Sequence, residues 1–250
     1  MQEGIALIFL AAGNSTRFGR PKQLEPVGPN GESIIELSVL DAARAGFSQV
    51  IVVVKEEHLT LWKTKKWTLP VHFCVQKVAN GTADALLLGM ANAASLGFSR
   101  WAVANGDDYY GDLWRTAFEL AAQGWTGSLA YPLQRACSAT GLVNRAVLHC
   151  SGEGSLLRIE ERLGIAQVDP IVQENPLVSM NAWIFDQQLL DVGSTAQRVG
   201  LTCEFGIPDL IHYALNQGIE LKVHAAGTTW IGLTYAEDRE AVLAYFNSRN

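Results

Sequence analysis

An apolar run, Ile5–Leu10 (IALIFL), passes directly into AAGNSTRFGRPKQL, and this junction constrains the chain more than any other stretch. The uninterrupted apolar run suits a strand buried on both faces of a sheet. The loop that follows is built to receive an anion. Ala11, Ala12, Gly13 and Asn14 are small, so their backbone N–H groups can approach phosphate oxygens and form a concave nest. Arg17, Arg20 and Lys22 then add positive charge. Arg17 offers a planar fork for phosphate oxygens and Lys22 a mobile point charge. Pro21 restricts Arg20 and presents Lys22 on a stiffened turn.

The 250 residues can bury a full core and fit one domain, 1–250. Apolar residues near half and charged residues near a fifth are ordinary for a soluble α/β protein. The opening MQEG lacks the basic region of a signal peptide, and the apolar run after it is too short to span a bilayer, so no membrane association is expected. Cys74, Cys137, Cys150 and Cys203 are widely spaced without a C-x-x-C pair, which disfavours a disulfide framework or structural zinc and fits a reducing cytoplasm. A formal charge of −6 argues against nucleic acid as a partner. Lys63, Lys65 and Lys66 read as a solvated helix face. The positive island of the first loop therefore stands against an acidic body, as suits a site admitting an anionic small molecule.

Along the chain, Ser33 and Glu36 make a capping box for a helix running to Ala45, with Gly46 as its C-cap. Gln49 to Lys55 is β-branched and suits a central parallel strand, so strand, helix and strand form a right-handed crossover. A helix around Glu56 to Trp67, a strand Val71 to Gln76 and a helix opened by Gly81 and Thr82 repeat the pattern. The next strand, Trp101 to Ala104, ends in NGDDYYG, an acidic pair where open α/β sheets bind ligands; a carboxylate there suits Mg²⁺ held between protein and phosphate oxygens. Beyond it, shorter strands at Ser128 to Pro132, Gly141 to Leu148 and Leu157 to Glu161 read as antiparallel structure.

LAAGNSTRFGRPKQL resembles the signature of nucleotidyltransferases with the GT-A-like fold. The resemblance implies a Rossmann-like α/β fold: a mostly parallel central sheet with helices on both faces, and an antiparallel extension forming a lid on the sugar side. The nucleotide-binding part would cover about 1–110 and the acceptor-binding part about 111–250. It implies that Leu10, Ala11, Ala12, Gly13 and Asn14 cradle the triphosphate, with Arg17 on its β and γ groups and Lys22 on its α-phosphate. Gln76, Gly81 and Thr82 match the base-reading residues of the sugar-nucleotide branch, with helix capping alone as the lesser alternative. Asp107 takes the role of the metal-binding aspartate, and Asp108 either faces the sugar or caps the helix near Asp112. Thr140-Gly141 and Glu161 resemble acceptor-binding positions. Val178 to Phe185 resembles the strand after them, with Ser179 and Asn181 replacing the usual asparagine and glycine. Trp230 matches a late Trp-x-Asp motif whose aspartate, usually the second metal ligand, is here Gly232.

The activity this implies is Mg²⁺-dependent transfer from an NTP, UTP or dTTP favoured by Gln76, to a sugar 1-phosphate; a homo-oligomer is compatible with it. Two alternatives stand beside it. The opening also resembles cytidylyltransferases that modify molybdopterin, which end in a similar Arg-Pro-Lys-Gln-Leu. A nucleotide-sugar-binding regulator without turnover is the other, since a metal ligand is missing at Gly232.

Overall fold

A computed structural model describes residues 4–13, 21–138, 141–198, 204–227, 229–233 and 238–248. The chain runs β1 (Ile5–Leu10), α1 (Ile34–Ala45), β2 (Gln49–Val54), α2 (Leu59–Lys63), β3 (Val71–Val75), α3 (Thr82–Ser95), β4 (Arg100–Asn105), β5 (Asp108–Tyr109) and α4 (Leu113–Ala122). It continues through β6 (Gly127–Pro132), α5 (Leu133–Ala136), β7 (Val143–Cys150), β8 (Leu156–Ile165), α6 (Pro170–Glu174), β9 (Leu177–Ser179), β10 (Trp183–Asp186) and α7 (Gln187–Arg198). Last come α8 (Ile207–Asn216), β11 (Lys222–Ala225), β12 (Ile231–Gly232) and α9 (Asp238–Asn247).

Strands from both halves join one sheet in the order β3-β2-β1-β4-β10-β6-β9-β7-β8, and off this path β11 pairs in parallel with β6. The first four are parallel. From β10 to β8 every neighbouring pair on this path is antiparallel. The alternation of β1 explains why both faces are covered. Leu7 and Phe9 pack with Ile35, Val39 and Trp114 from α1 and α4, whereas Ala6, Ile8 and Leu10 pack with Leu86, Met90, Leu210 and Ile211 from α3 and α8. Four parallel strands thus end together at one edge, which is where the phosphate-type loop and the acidic pair emerge.

Local signals set the ends of the elements. The Ser33 amide donates to Glu36 Oε2 at 2.8 Å, and Gly46 closes α1 in the left-handed conformation, φ 108°. Two expectations differ from the structure. The helix expected to Trp67 ends at Lys63, where the Thr64 hydroxyl caps the turn by donating to the Leu61 carbonyl; Trp67 instead stacks on the buried Trp62. The strand expected over Val178 to Phe185 is broken in two at Asn181, whose φ of 57° turns the chain so that Ser179 ladders with β7 and Trp183 with β4. Among the described residues, no helix is long and apolar enough to cross a membrane.

Candidate active site

The ends of β1 and β4 border a cleft of about 350 Å³, lined among others by Leu10, Ala12, Gly13, Lys22, Gln23, Asn105 and Asp107. Lys22 opens a short 3-10 turn after the loop, and its Nζ contacts the Asp107 carboxylate. The loop amides are not equivalent. Ala11 N–H donates to the Val53 carbonyl at 2.9 Å and continues the ladder, so among the described loop residues Ala12 and Gly13 line the cleft. Asn14, Arg17 and Arg20 lie outside the described residues.

At the far end of the cleft, Gln76 follows β3. Its Nε2 donates to Asp84 Oδ2 at 2.8 Å and to the Gly81 carbonyl at 3.2 Å, and Asp84 Oδ1 accepts from Gln197 Nε2 at 2.6 Å. Two acceptors on one side fix which way the amide points, leaving Oε1 as the group it can offer a ligand. Gly81 and Thr82 line the cleft beside it and also hold it together. The Ala83 amide donates to the Phe205 carbonyl at 3.0 Å, and the Thr82 hydroxyl accepts from Ile207 N–H at the start of α8. Thr82 therefore caps a helix other than its own.

Beneath the cleft lies a polar chain rooted in Asp108. Its carboxylate accepts from Asn105 Nδ2 at 2.9 Å, and Asn105 Oδ1 accepts in turn from Asn181 Nδ2 at 3.1 Å. The order of donors again follows from the carboxylate, and it turns Asn181 Oδ1 away as an available acceptor. Burial pushes the Asp108 carboxyl up to about 7, the Asp107 charge adds to this, and the Asn105 hydrogen bond opposes it. Asp108 lines neither the cleft nor the smaller hollow beside it; β12 covers it, with Gly232 directly opposite in the β5 ladder. Tyr109 and Tyr110 beside it are core residues, the second donating to the Met180 carbonyl at 2.8 Å.

A smaller hollow of about 210 Å³ adjoins the cleft and shares Thr82, Asn105 and Asn181 with it. Glu161 and Ser179 line it, as do Asn144, Arg145 and Arg162. The Asn181 amide donates to the Ser179 hydroxyl at 3.1 Å, which ties the two into one turn. Gly141 lies two residues before β7 and outside both hollows, while Thr140 is outside the described residues. Trp230 packs on the core near Arg145.

Sequence reasoning missed Gln23, Asn105 and Arg145. Gln23 is almost fully buried in the cleft wall, and among the described residues its Oε1 has no hydrogen-bond partner, an orphan acceptor that a ligand donor would satisfy. Its place inside the phosphate-loop stretch, directly after Lys22, was an available signal. Asn105 is the last residue of β4, the position from which strand-end ligands are expected to come.

Among known families, the MobA-like NTP transferase domain matches residues 7–164. Several solved structures are similar in fold. One, assigned as a glucose-1-phosphate thymidylyltransferase from Bacillus anthracis and in complex with a sucrose, gives a TM-score of 0.76 at 18% identity over 99% of this chain and 97% of that one. A UDP-glucose pyrophosphorylase complexed with UDP-glucose gives 0.72 at 15% identity, covering 99% and 100%. The inositol-1-phosphate CTP transferase from T. maritima gives 0.71 at 12% identity, covering 98% and 96%. Comparison with curated proteins gives no match.

Proposed function

Since the chain belongs to the MobA-like NTP transferase domain family and is by that membership a nucleotidyltransferase, we propose that it couples UTP or dTTP to a sugar 1-phosphate, releasing pyrophosphate. The observation that carries this reading is the continuity of the two hollows. Lys22 and Asp107 lie on the nucleotide side, Glu161 and Ser179 on the other, and Thr82, Asn105 and Asn181 border both. A bound acceptor thereby reaches a nucleotide's phosphates without crossing solvent.

The chemistry needs positioning more than proton transfer. An acceptor phosphate dianion attacks the α-phosphorus in line and requires no general base, so catalysis rests on orientation and charge neutralisation. Lys22 steadies the α-phosphate, while the Ala12 and Gly13 backbone and Arg17 receive the departing pyrophosphate. Gln76 accepts a hydrogen bond from the base through Oε1. Glu161, Ser179 and the free Asn181 oxygen take sugar hydroxyls, and Asp108 positions Asn105 and Asn181 from below.

Mg²⁺ fits Asp107, a partly exposed carboxylate in the cleft beside the phosphate loop. Among the described residues no cluster of three His, Cys, Asp or Glu groups forms a complete cage. That is compatible with Mg²⁺, which takes one or two carboxylates and completes its shell with phosphate oxygens and water. When bound, the ion supplies neutralisation of the reacting phosphates.

A second reading, CTP with a phosphorylated pterin as acceptor, rests on the RPKQL ending of the loop. A matrix of NTPs against sugar 1-phosphates and a phosphorylated pterin, read by pyrophosphate release, decides between them. The first reading expects turnover with a uridine or thymidine triphosphate and a sugar 1-phosphate. Release with CTP and the pterin alone overturns it.

A further inference from the structure

We propose that Arg145 is the seat of the acceptor's phosphate and so determines that this pocket takes phosphorylated acceptors; this rests on the transfer reading above. Arg145 lies on β7 just after a register shift in its ladder with β8, and its partner across that ladder is Arg162. Both line the smaller hollow. Two like charges directly opposite on adjacent strands repel, and an anion between them converts that cost into attraction.

The two arginines differ in their company. Arg162 Nε lies 2.7 Å from Glu160 Oε1, so a carboxylate already neutralises it. Among the described residues, no carboxylate lies within ion-pairing distance of Arg145. Its guanidinium is fixed instead by neutral groups. Nε donates to the Ala136 carbonyl at 2.8 Å, Nη1 donates to the Asn144 carbonyl at 2.9 Å, and the planar group lies over the Trp230 ring at 5.5 Å. An arginine stays charged in such surroundings, and a half-buried cation with no carboxylate within ion-pairing distance among the described residues favours binding an anion. The fork is already oriented by its two carbonyls, so little side-chain entropy is lost when phosphate oxygens arrive. Asn105, the last residue of β4, lines the same hollow as Arg145, so the guanidinium shares that hollow with the strand end beside the acidic pair, where the acceptor's reacting phosphate has to lie.

The test is calorimetric titration with inorganic phosphate, glucose 1-phosphate and glucose, in a Lys22→Ala background that weakens phosphate binding at the first loop. Arg145→Met, which keeps an apolar stem over Trp230, is expected to lose affinity for both phosphates by roughly ten- to a hundredfold, the scale of hydrogen bonds to a charged group. Glucose should bind equally weakly throughout. Arg145→Lys, which keeps the charge without the fork, should fall between. In the Lys22 wild-type enzyme, Arg145→Met should raise the acceptor KM and leave the NTP KM within about twofold. Phosphate affinity unchanged in Arg145→Met, no phosphate binding in the Lys22→Ala background, or a lowered Tm with phosphate affinity retained would each overturn the proposal and mark Arg145 as a structural brace at most. If no NTP and sugar 1-phosphate pair is turned over while Arg145→Met still loses phosphate, the transfer reading fails and the anion seat stands.

Discussion

Lys22 Nζ meets the Asp107 carboxylate across the cleft, one side chain from the turn after β1 and the other from just beyond β4. Each is about a fifth exposed, so the pair sits at the wall of the cleft with solvent on one side. Incoming phosphates and a metal ion would draw the two apart, the ammonium to the α-phosphate and the carboxylate to the metal. Lys22→Ala is therefore expected to lower kcat by about 10² to 10³, the scale of losing a preorganised charge at a transition state. Steady-state pyrophosphate release measures it. A kcat within a few-fold of wild type would mean that this loop binds something other than the reacting phosphate.

Base preference should be controlled by Gln76. Its amide nitrogen is committed to Asp84 and Gly81, so only Oε1 can face a base, and an acceptor there suits the N3–H of uracil or thymine. Gln76→Ala should raise the NTP KM roughly tenfold, the value of about one buried hydrogen bond, with kcat at saturation nearly intact. Kinetics with all common NTPs test this. ATP as the best substrate, or unchanged discrimination in the variant, would show that the base is read elsewhere.

The parts of the site that could be read along the chain are those where one local pattern sets both shape and chemistry. IALIFL is buried on both faces as its composition demands, and the capping box at Ser33 and Glu36 closes as spaced. Asp107 and Lys22 meet because each follows the end of a parallel strand, a position visible from the apolar runs alone. What stayed hidden depends on pairings between distant strands. Arg145 matters because a register shift sets it against Arg162, and Asp108 sinks below the cleft because β12, more than a hundred residues later, lies over it. Asn181 breaks its strand because two halves of that segment find different partners, and nothing in VSMNAWIF states which.

Gly81 should be more sensitive to substitution than a loop glycine. Its φ is 98°, and a Cβ there would fall 2.2 Å from the Phe205 carbonyl oxygen. Gly81→Ala is expected to destabilise the fold by about 2–5 kcal/mol, combining left-handed strain with a clash against backbone that cannot swing aside. Thr82→Val, which keeps shape and removes the hydroxyl that caps α8, should cost about 1 kcal/mol with little change in NTP KM. Urea denaturation and kinetics on both variants separate the roles. A Thr82→Val protein of wild-type stability with a tenfold higher KM would place that hydroxyl on the nucleotide instead.

The family pattern puts a metal-binding aspartate where this chain has Gly232, so restoring it is the direct test of whether the site lacks a ligand or is arranged differently. Gly232 pairs with Asp108 across the β5–β12 ribbon. A Cβ at 232 would lie 2.8 Å from Asp108 Oδ1 and 2.5 Å from the Trp230 ring. Asp108 thus fills the space that a side chain at 232 would need, and a second carboxylate would add like charge beside a group whose ionisation burial already opposes. Gly232→Asp is expected to destabilise the protein by about 1–3 kcal/mol, the range for overpacking a closed site, and to leave metal affinity no higher than wild type. Asp107→Asn, which changes charge with little change in volume, should instead abolish metal binding in the presence of nucleotide and nearly abolish turnover. Mn²⁺ titration followed by electron paramagnetic resonance, with thermal melts of each variant, measures both effects. Stronger Mn²⁺ binding and higher activity in Gly232→Asp, with Asp107→Asn still active, would show that the metal site belongs to the β12 side and that Asp107 serves only as the partner of Lys22.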